Sequence, residues 1–271
     1  MKGFYEIENS NHSVIPGYAY YGLAVPSNPL VEWYVFPSSR RVTLSDKQRG
    51  FFTEPQKGAG NKVFPYVRGR TLGGSSAFNL MLYQRPTVGA MQKWADDVGD
   101  QSWTWINVLK YFRRSSTFNL PPKSRPQNAT PGYDESVFDN GPVQTSYSTY
   151  SSPVAGWFLK AAQALGLKYA AHGFQSGHLL GNGWTPSTVT SKTGVRSSSQ
   201  EAYLQMGLET QRLTVYTHSF AKKLAFGGRK ATGVHVATGK LPFMLSAKRE
   251  VIVSCGAFQS PQVCEILLRM E

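Results

Sequence analysis

The residues best suited to binding chemistry lie in one stretch, GRTLGGSSAFNLMLYQRP at residues 69–86. Gly73 and Gly74 remove two successive side chains, which permits a left-handed backbone or close approach by another group. Ser75 and Ser76 follow with hydroxyl and backbone N–H groups. The spacing of SAFNLMLYQR predicts a helix, which these serines would cap, and an electron-rich or anionic group is favoured at such a helix start.

The same stretch continues with side chains suited to a flat ring. Asn79 carries an amide that both donates and accepts hydrogen bonds, and Met81, Leu82 and Tyr83 offer apolar surface. The alternative is a tight strand-to-helix turn that packs only against protein. This stretch alone does not separate the two interpretations.

A second glycine turn occurs in REVIVSCGAFQSPQVC, residues 249–264. The pattern predicts a buried strand, a turn, and a helix with Ser260 as its N-cap and Pro261 at its first position. In α/β folds, ligands bind at the carboxyl ends of strands, so this turn is also a candidate binding element. Cys255 and Cys264 lie in apolar surroundings and are expected to be buried thiols; two cysteines give neither a disulfide framework nor metal spacing.

Helices and strands that could position these turns alternate along the chain, which predicts a mixed α/β fold. We expect two helices in residues 92–115 that separate at Gly99, with Ser102 or Thr104 as the second N-cap, and another helix between Pro153 and Gly166. Residues 119–153 are expected to form an exposed excursion that returns through a strand. The last third predicts a short serine-capped helix in SSSQEAYLQMGL and then strands in RLTVYTHSFAKKLAF, ATGVHVATG and LPFMLSAKREVIVSCGA.

Composition restricts the class of protein further. The 271 residues are 41% hydrophobic and carry a formal net charge of +13. Because the basic residues are scattered and no nucleic-acid-binding signature accompanies them, we favour a solvated basic face, which is also compatible with an anionic ligand such as a pyrophosphate. No membrane span and no signal peptide is predicted, so the chain as written is expected to be cytoplasmic.

Four segments, in order, resemble the glucose–methanol–choline (GMC) flavin oxidoreductases. Residues 69–79 are similar to the family's first signature, and GAFQSP to its second. Between them, GVRSSSQEAYL resembles the family's Arg-x-Ser-x-x-x-Ala-Tyr-Leu element, and RLTVYTHSFAKKL its adenine-side strand. The resemblance implies an FAD-binding Rossmann-like domain, incomplete here, with part of the substrate-domain segment in residues 119–190.

The resemblance also implies which residues contact FAD. The turn residues would approach the pyrophosphate and ring, and the segment after them would line the isoalloxazine. Ala221 would meet the adenine, and the second glycine turn would lie on the adenosine side. Because Phe78 stands where some relatives carry a flavin-linking histidine, noncovalent FAD is expected. The complete set of predicted cofactor-binding residues is Gly73, Gly74, Ser75, Ser76, Asn79, Leu80, Met81, Leu82, Ala221, Ser254, Cys255 and Gly256.

The sequence departs from the family in two places. It shows no Gly-x-Gly-x-x-Gly turn after an apolar strand, since GAGNKV at residues 58–63 lacks the third glycine and is interpreted as a simple turn. It also shows no match to the family's catalytic histidine pair, so no catalytic residue and no metal ligand is predicted. We expect a chain that is truncated at both ends relative to the family, with reduced flavin affinity.

The leading hypothesis is therefore part of an FAD-dependent oxidoreductase that oxidises the CH–OH group of a small-molecule alcohol. Two alternatives stay open: a non-catalytic remnant that binds a partner without flavin, and a basic nucleic-acid-binding protein. Intact relatives are often secreted, which leaves the location of this chain open.

Overall fold

The structure, a computed structural model, describes residues 52–64, 69, 71–121, 123, 125, 132–239 and 241–268, with side chains as far as residue 264. The chain divides into two compact units, Met1–Thr210 and Gln211–Glu271. The sequence also predicts a short extended stretch in EWYVF, residues 32–36, which lies outside the described residues. No helix in the described ranges is both long and apolar enough to cross a bilayer.

The helices of the first unit largely follow the predicted pattern. They are α1 (Val88–Val98), α2 (Trp105–Ser115), α3 (Pro153–Ala164) and α4 (Gln205–Glu209), the last preceded by a π-helical turn, Gln200–Leu204. Gly99 ends α1 in a left-handed conformation, with φ +67°, and Thr104 precedes α2, as predicted. Pro153 stands in the first turn of α3, where its missing N–H removes no helical hydrogen bond.

The segment at residues 119–153 is not simply the exposed excursion that its polar composition predicted. Strand β1 (Ser116–Phe118) pairs in parallel with β2 (Val143–Thr145), which confirms the returning strand. Between them, Val137 and Phe138 are buried, as are Arg125 and Tyr147 on either side. The prediction failed because aromatic rings within the segment pack on Phe118. The ring centroid of Phe118 lies 4.5 Å from that of Tyr133 and 5.7 Å from that of Tyr147.

A buried arginine connects this segment to the helices. Arg85 is only 2% exposed, and its guanidinium donates hydrogen bonds to the carbonyl oxygens of Val137 and Phe112 and to the Ser116 hydroxyl. It also lies 4.8 Å from the centroid of the Phe138 ring, within the range of a cation–π contact. Arg85 thus links Phe112, Ser116 and residues 137–138 through hydrogen bonds and a cation–π contact.

The second unit is an antiparallel sheet with a helix. Strands β3 (Ser219–Gly227), β4 (Lys230–Thr238) and β5 (Leu241–Ser246) follow one another in the order β3-β4-β5. The pairing of β3 with β4 shifts register between Ala221 and Lys223, where an extra residue bends the strand. Helix α5 (Gln259–Leu268) contacts β3. The three predicted strand segments each contain a strand of this meander, and β3 and β5 are shorter than predicted.

Three details of the second glycine turn were wrong. Residues 250–254 form no strand, and Ile252 is 78% exposed, because the ladder β3-β4-β5 includes no pairing with them. Helix α5 begins at Gln259, so Ser260 is a helical residue whose N–H donates to the Gly256 carbonyl over 3.0 Å, not an N-cap. Cys264 is exposed and Cys255 half-buried, so neither thiol has the predicted full burial.

Candidate functional site

The glycine–serine turn, described at residues 69 and 71–79, has the left-handed backbone that its glycines were predicted to permit. Gly73 and Gly74 adopt φ values of +85° and +54°, which side chains other than glycine rarely accept. A Cβ at Gly74 would have no atom within 4 Å, so the backbone here borders open space. Gly69, which the sequence reading did not single out, is equally constrained: its Cβ would lie 2.3 Å from the Gly74 carbonyl oxygen.

The serines of this turn do not cap a helix, which corrects the prediction. A short 3-10 turn, Gly74–Ala77, stands where the helix was expected to begin. The Ser75 hydroxyl instead accepts from the N–H of Gly69 over 3.2 Å. The Ser76 hydroxyl accepts from the N–H of Ser199 over 2.9 Å, and the Ser199 hydroxyl donates to the Gly73 carbonyl over 3.1 Å. Ser76 and Ser199 thus link segments that are far apart in the sequence.

The helix predicted to continue through residues 80–85 is absent, because tertiary pairing holds this stretch extended. Met81 adopts φ +63°, its N–H donates to the Asn79 side-chain oxygen over 3.0 Å, and its carbonyl accepts from Thr188 over 2.8 Å. The Met81 side chain is buried against Val189, so it does not offer the apolar surface proposed for a flat ring. Leu80 and Leu82, however, are exposed.

Arg196 is a residue that the sequence reading quoted within a motif but gave no role. Its guanidinium is 1% exposed, and Nη1 donates to the Ser76 carbonyl over 3.2 Å and to the carbonyl and side-chain oxygens of Asn79 over 2.8 Å each. Burial lowers the pKa of Arg196, and the nearby Glu201 carboxylate opposes that shift. The sequence offered one signal for this residue, which is the acidic Glu201 that follows it in the same motif. In the structure the Glu201 carboxylate accepts hydrogen bonds from the N–H and the hydroxyl of Ser198.

In the second unit, the structure brings two of the predicted adenine-side residues together. Ala221 and Cys255 line the same cavity, of about 260 Å³. The other residues of its lining are Ser219, Phe220, Lys222, Gln259, Gln262 and Val263. Gly256 has φ +88° with open space where a Cβ would stand, and Ser254 is exposed outside the cavity lining. The cavity size suits one ring of a nucleotide and is small for a whole dinucleotide.

The described residues contain no group of three or more histidine, cysteine, aspartate or glutamate side chains that could hold a metal ion.

The comparison with known sequences decides the family. The sequence profile described as GMC oxidoreductase matches residues 22–266 of this chain. The chain belongs to the GMC oxidoreductase family. The four motifs that resemble this family therefore occur in a member of it. FAD is the cofactor that the family implies.

Three similar curated proteins come from Aspergillus, Emericella and Penicillium. A dehydrogenase of Aspergillus violaceofuscus (pyvF) is 38% identical over 267 residues, which cover 97% of this chain and 40% of that protein. The versicolorin B synthase of Emericella nidulans is 40% identical, over 96% of this chain and 40% of that protein. A patulin synthase of Penicillium expansum gives the same identity and the same two shares. This chain therefore spans about 40% of the length of these relatives.

Solved structures show the same fold at lower identity. An FAD-dependent oxidoreductase from Chaetomium thermophilum aligns with a TM-score of 0.79 at 23% identity, over 95% of this chain and 41% of that one. A fungal aryl-alcohol oxidase aligns with a TM-score of 0.73 at 22% identity, over 87% of this chain and 40% of that one. The mixed α/β, partial FAD-domain fold is confirmed.

Proposed function

We propose that this chain supplies flavin-contacting residues for the oxidation of a small-molecule alcohol at its CH–OH group. The observation that carries the proposal is the glycine–serine turn, where Gly74 presents backbone without a side chain to open space. A side chain at this position would project into that space, and its absence permits close approach by a flat or anionic group. FAD, when bound, supplies the acceptor for the hydride that leaves the alcohol carbon.

The residues of this chain would bind and orient the cofactor. Around the turn, Gly73, Gly74, Ser75 and Asn79 would contact its pyrophosphate and ring, with the exposed Leu80 and Leu82 beside them. In the second unit, Ala221 and Cys255 would line the adenine cavity, and the bare Gly256 backbone lies next to Cys255 in the sequence. No described residue is assigned the proton transfer from the alcohol, so the proposal concerns cofactor binding.

The experiment is a titration of the purified 271-residue chain with FAD, followed by flavin fluorescence. Gly74→Leu is compared with Gly60→Leu, because both glycines have positive φ, +54° and +66°, and open space at the Cβ. The backbone strain is matched, and only Gly74 is a proposed contact. We expect Gly74→Leu to weaken FAD binding at least tenfold, about 1.4 kcal/mol, and Gly60→Leu to leave it unchanged.

The adenine side is tested separately with AMP as the probe. Ala221→Leu would fill part of the cavity and should abolish competition by AMP, whereas Gly74→Leu should leave that competition intact. If the wild-type chain binds neither FAD nor AMP, the flavin proposal is wrong and the non-catalytic alternative is favoured. Binding of DNA that falls steeply with added salt would instead favour the basic nucleic-acid-binding alternative.

A further inference from the structure

Arg196 reaches the glycine–serine turn from a distant part of the chain. Its Nη1 contacts three oxygens of the turn: the carbonyls of Ser76 and Asn79 and the Asn79 side-chain oxygen. These bonds span 117 to 120 residues of sequence. Because a charged donor makes stronger hydrogen bonds than a neutral one, this single nitrogen fixes both ends of the segment between Ser76 and Asn79.

The segment that Arg196 contacts leads into a residue with a strained backbone. Met81 is a non-glycine residue with φ +63°, a conformation that is sparsely populated unless its surroundings impose it. The Asn79 side-chain oxygen that accepts from Arg196 also accepts from the Met81 N–H. The guanidinium therefore acts through Asn79 on the strained residue between the exposed Leu80 and Leu82.

The Arg196 guanidinium is buried, and two of its three nitrogens are unpaired among the described residues. Its Nε and Nη2 are buried and have no hydrogen-bond partner within the described part of the chain. Burying a cation with unsatisfied donors costs free energy that an apolar side chain of similar size would not. That cost is understandable if the bonds from Nη1 to the turn serve the binding site.

We propose that Arg196 is a positioning residue, which fixes the Asn79–Leu82 backbone in the conformation that contacts the flavin. The proposal rests on the flavin-binding function proposed above. Arg196 itself need not touch the cofactor, since all its described partners are protein oxygens. Its effect is to keep Asn79 and the following backbone ordered before the cofactor arrives, which lowers the conformational entropy lost on binding.

The test compares two buried arginines of the same unit in the purified chain. Arg196→Met and Arg196→Lys are matched with Arg85→Met and Arg85→Lys, because Arg85 is 2% exposed and also donates to carbonyls, but those lie outside the turn. FAD affinity is measured by flavin fluorescence on the folded fraction. Hydrogen exchange is measured at residues 76–82 without cofactor.

We expect Arg196→Met to weaken FAD binding at least tenfold, and Arg196→Lys to recover part of the loss because it keeps a cation. The Arg85 variants should lower stability but change FAD affinity less than twofold. Exchange at residues 76–82 should accelerate selectively in the Arg196 variants. Equal FAD affinities for the Arg196 and Arg85 variants would overturn the positioning role while leaving the flavin function intact.

Two further outcomes are decisive. If the wild-type chain fails to bind FAD, the proposed function fails, and the positioning of the turn is then judged by exchange alone. Unchanged exchange at residues 76–82 in Arg196→Met overturns the proposal, whereas local acceleration that is larger in Arg196→Met than in Arg196→Lys supports it. Arg196→Lys serves if Arg196→Met does not fold.

Discussion

The two glycine turns of this protein are held in place by different kinds of contact. The glycine–serine turn is fixed by polar contacts from residues more than a hundred positions away, chiefly Arg196 and Ser199. The second glycine turn, residues 254–259, follows a meander whose strands pair with their sequence neighbours, and it leads directly into α5. Similar glycine-rich sequences therefore depend on long-range hydrogen bonds in one unit and on local topology in the other.

The difference extends to what stabilises each unit. In the first unit, Arg85, Arg125 and Arg196 are almost fully buried and donate to backbone carbonyls. In the second unit, the buried positions Val236, Ala237 and Val263 are apolar. Because removing a buried donor leaves its acceptors unpaired, we expect truncation of a buried arginine in the first unit to cost more stability than truncation of a buried apolar side chain in the second.

The largest effect should come from removing a buried arginine. Arg85→Met leaves the carbonyls of Val137 and Phe112 without this donor, which should cost about 3 kcal/mol of unfolding free energy. Val236→Ala in the second unit removes apolar contacts only and should cost about 1–2 kcal/mol. All six tryptophans precede residue 211, so tryptophan fluorescence in urea reports the first unit and far-UV circular dichroism adds the second. A smaller loss for Arg85→Met than for Val236→Ala would contradict the comparison.

Glycine substitutions should separate steric constraint from backbone strain in both units. Gly69→Ala and Gly233→Ala each place a Cβ 2.3 Å from a carbonyl oxygen, that of Gly74 or of Leu245, and should cost about 2–3 kcal/mol. The controls Gly74→Ala and Gly256→Ala meet no atom within 4 Å and retain only positive-φ strain, about 1 kcal/mol. Urea denaturation measures the unfolding free energy of all four variants. If Gly69→Ala lost no more stability than Gly74→Ala, and Gly233→Ala no more than Gly256→Ala, the steric reasoning would be wrong.

The link between the Ser76 and Ser199 segments should appear as a coupling energy. Ser76→Ala removes the turn hydroxyl that accepts from the Ser199 N–H, and Ser199→Ala removes the hydroxyl that donates to the Gly73 carbonyl. In a double-mutant cycle we expect a coupling of about 1 kcal/mol, because either substitution breaks the shared network. Additive effects would show that the two serines act independently.

The smallest effect should be an alkaline destabilisation of the first unit. Burial, as the largest cause, raises the pKa of Tyr147 above its usual value near 10, so the unfolded chain loses this proton first. Stability is therefore fully present below pH 10 and falls as the pH rises above it, by about 0.8 kcal/mol at pH 10.5. Tyr147→Phe should remove that part of the slope in denaturation curves between pH 9 and 10.5. An unchanged slope would rule out Tyr147 as its source.

Much of the fold could be predicted from the sequence because its signals are local. The break at Gly99, the start of α3 at Pro153 and the meander of the last third all depend on residues within a few positions of one another. The failures occurred where a distant partner decides. The expected helix after Ser76 is replaced by an extended stretch held by Thr188 and Arg196, and the expected strand before Cys255 has no ladder partner in the described sheet.

The candidate site shows the same division. Gly73 and Gly74 could be identified because glycine, without a Cβ, tolerates positive φ. Both residues adopt positive φ in the structure. Gly69 and Arg196 received no role because their importance comes from a carbonyl and a turn that only the folded chain brings near. Whether the predicted residues contact FAD stays a prediction, which the titrations above address.

By itself, the sequence determined the family, the bare backbone of the turns and the order of the local elements, since these follow from residue types and short spacings. Only the tertiary structure decided which side chains are buried and which oxygens Arg196 binds. The physical reason is that hydrogen-bond satisfaction and burial depend on neighbours in space, and spacing along the chain does not specify partners more than a hundred residues apart.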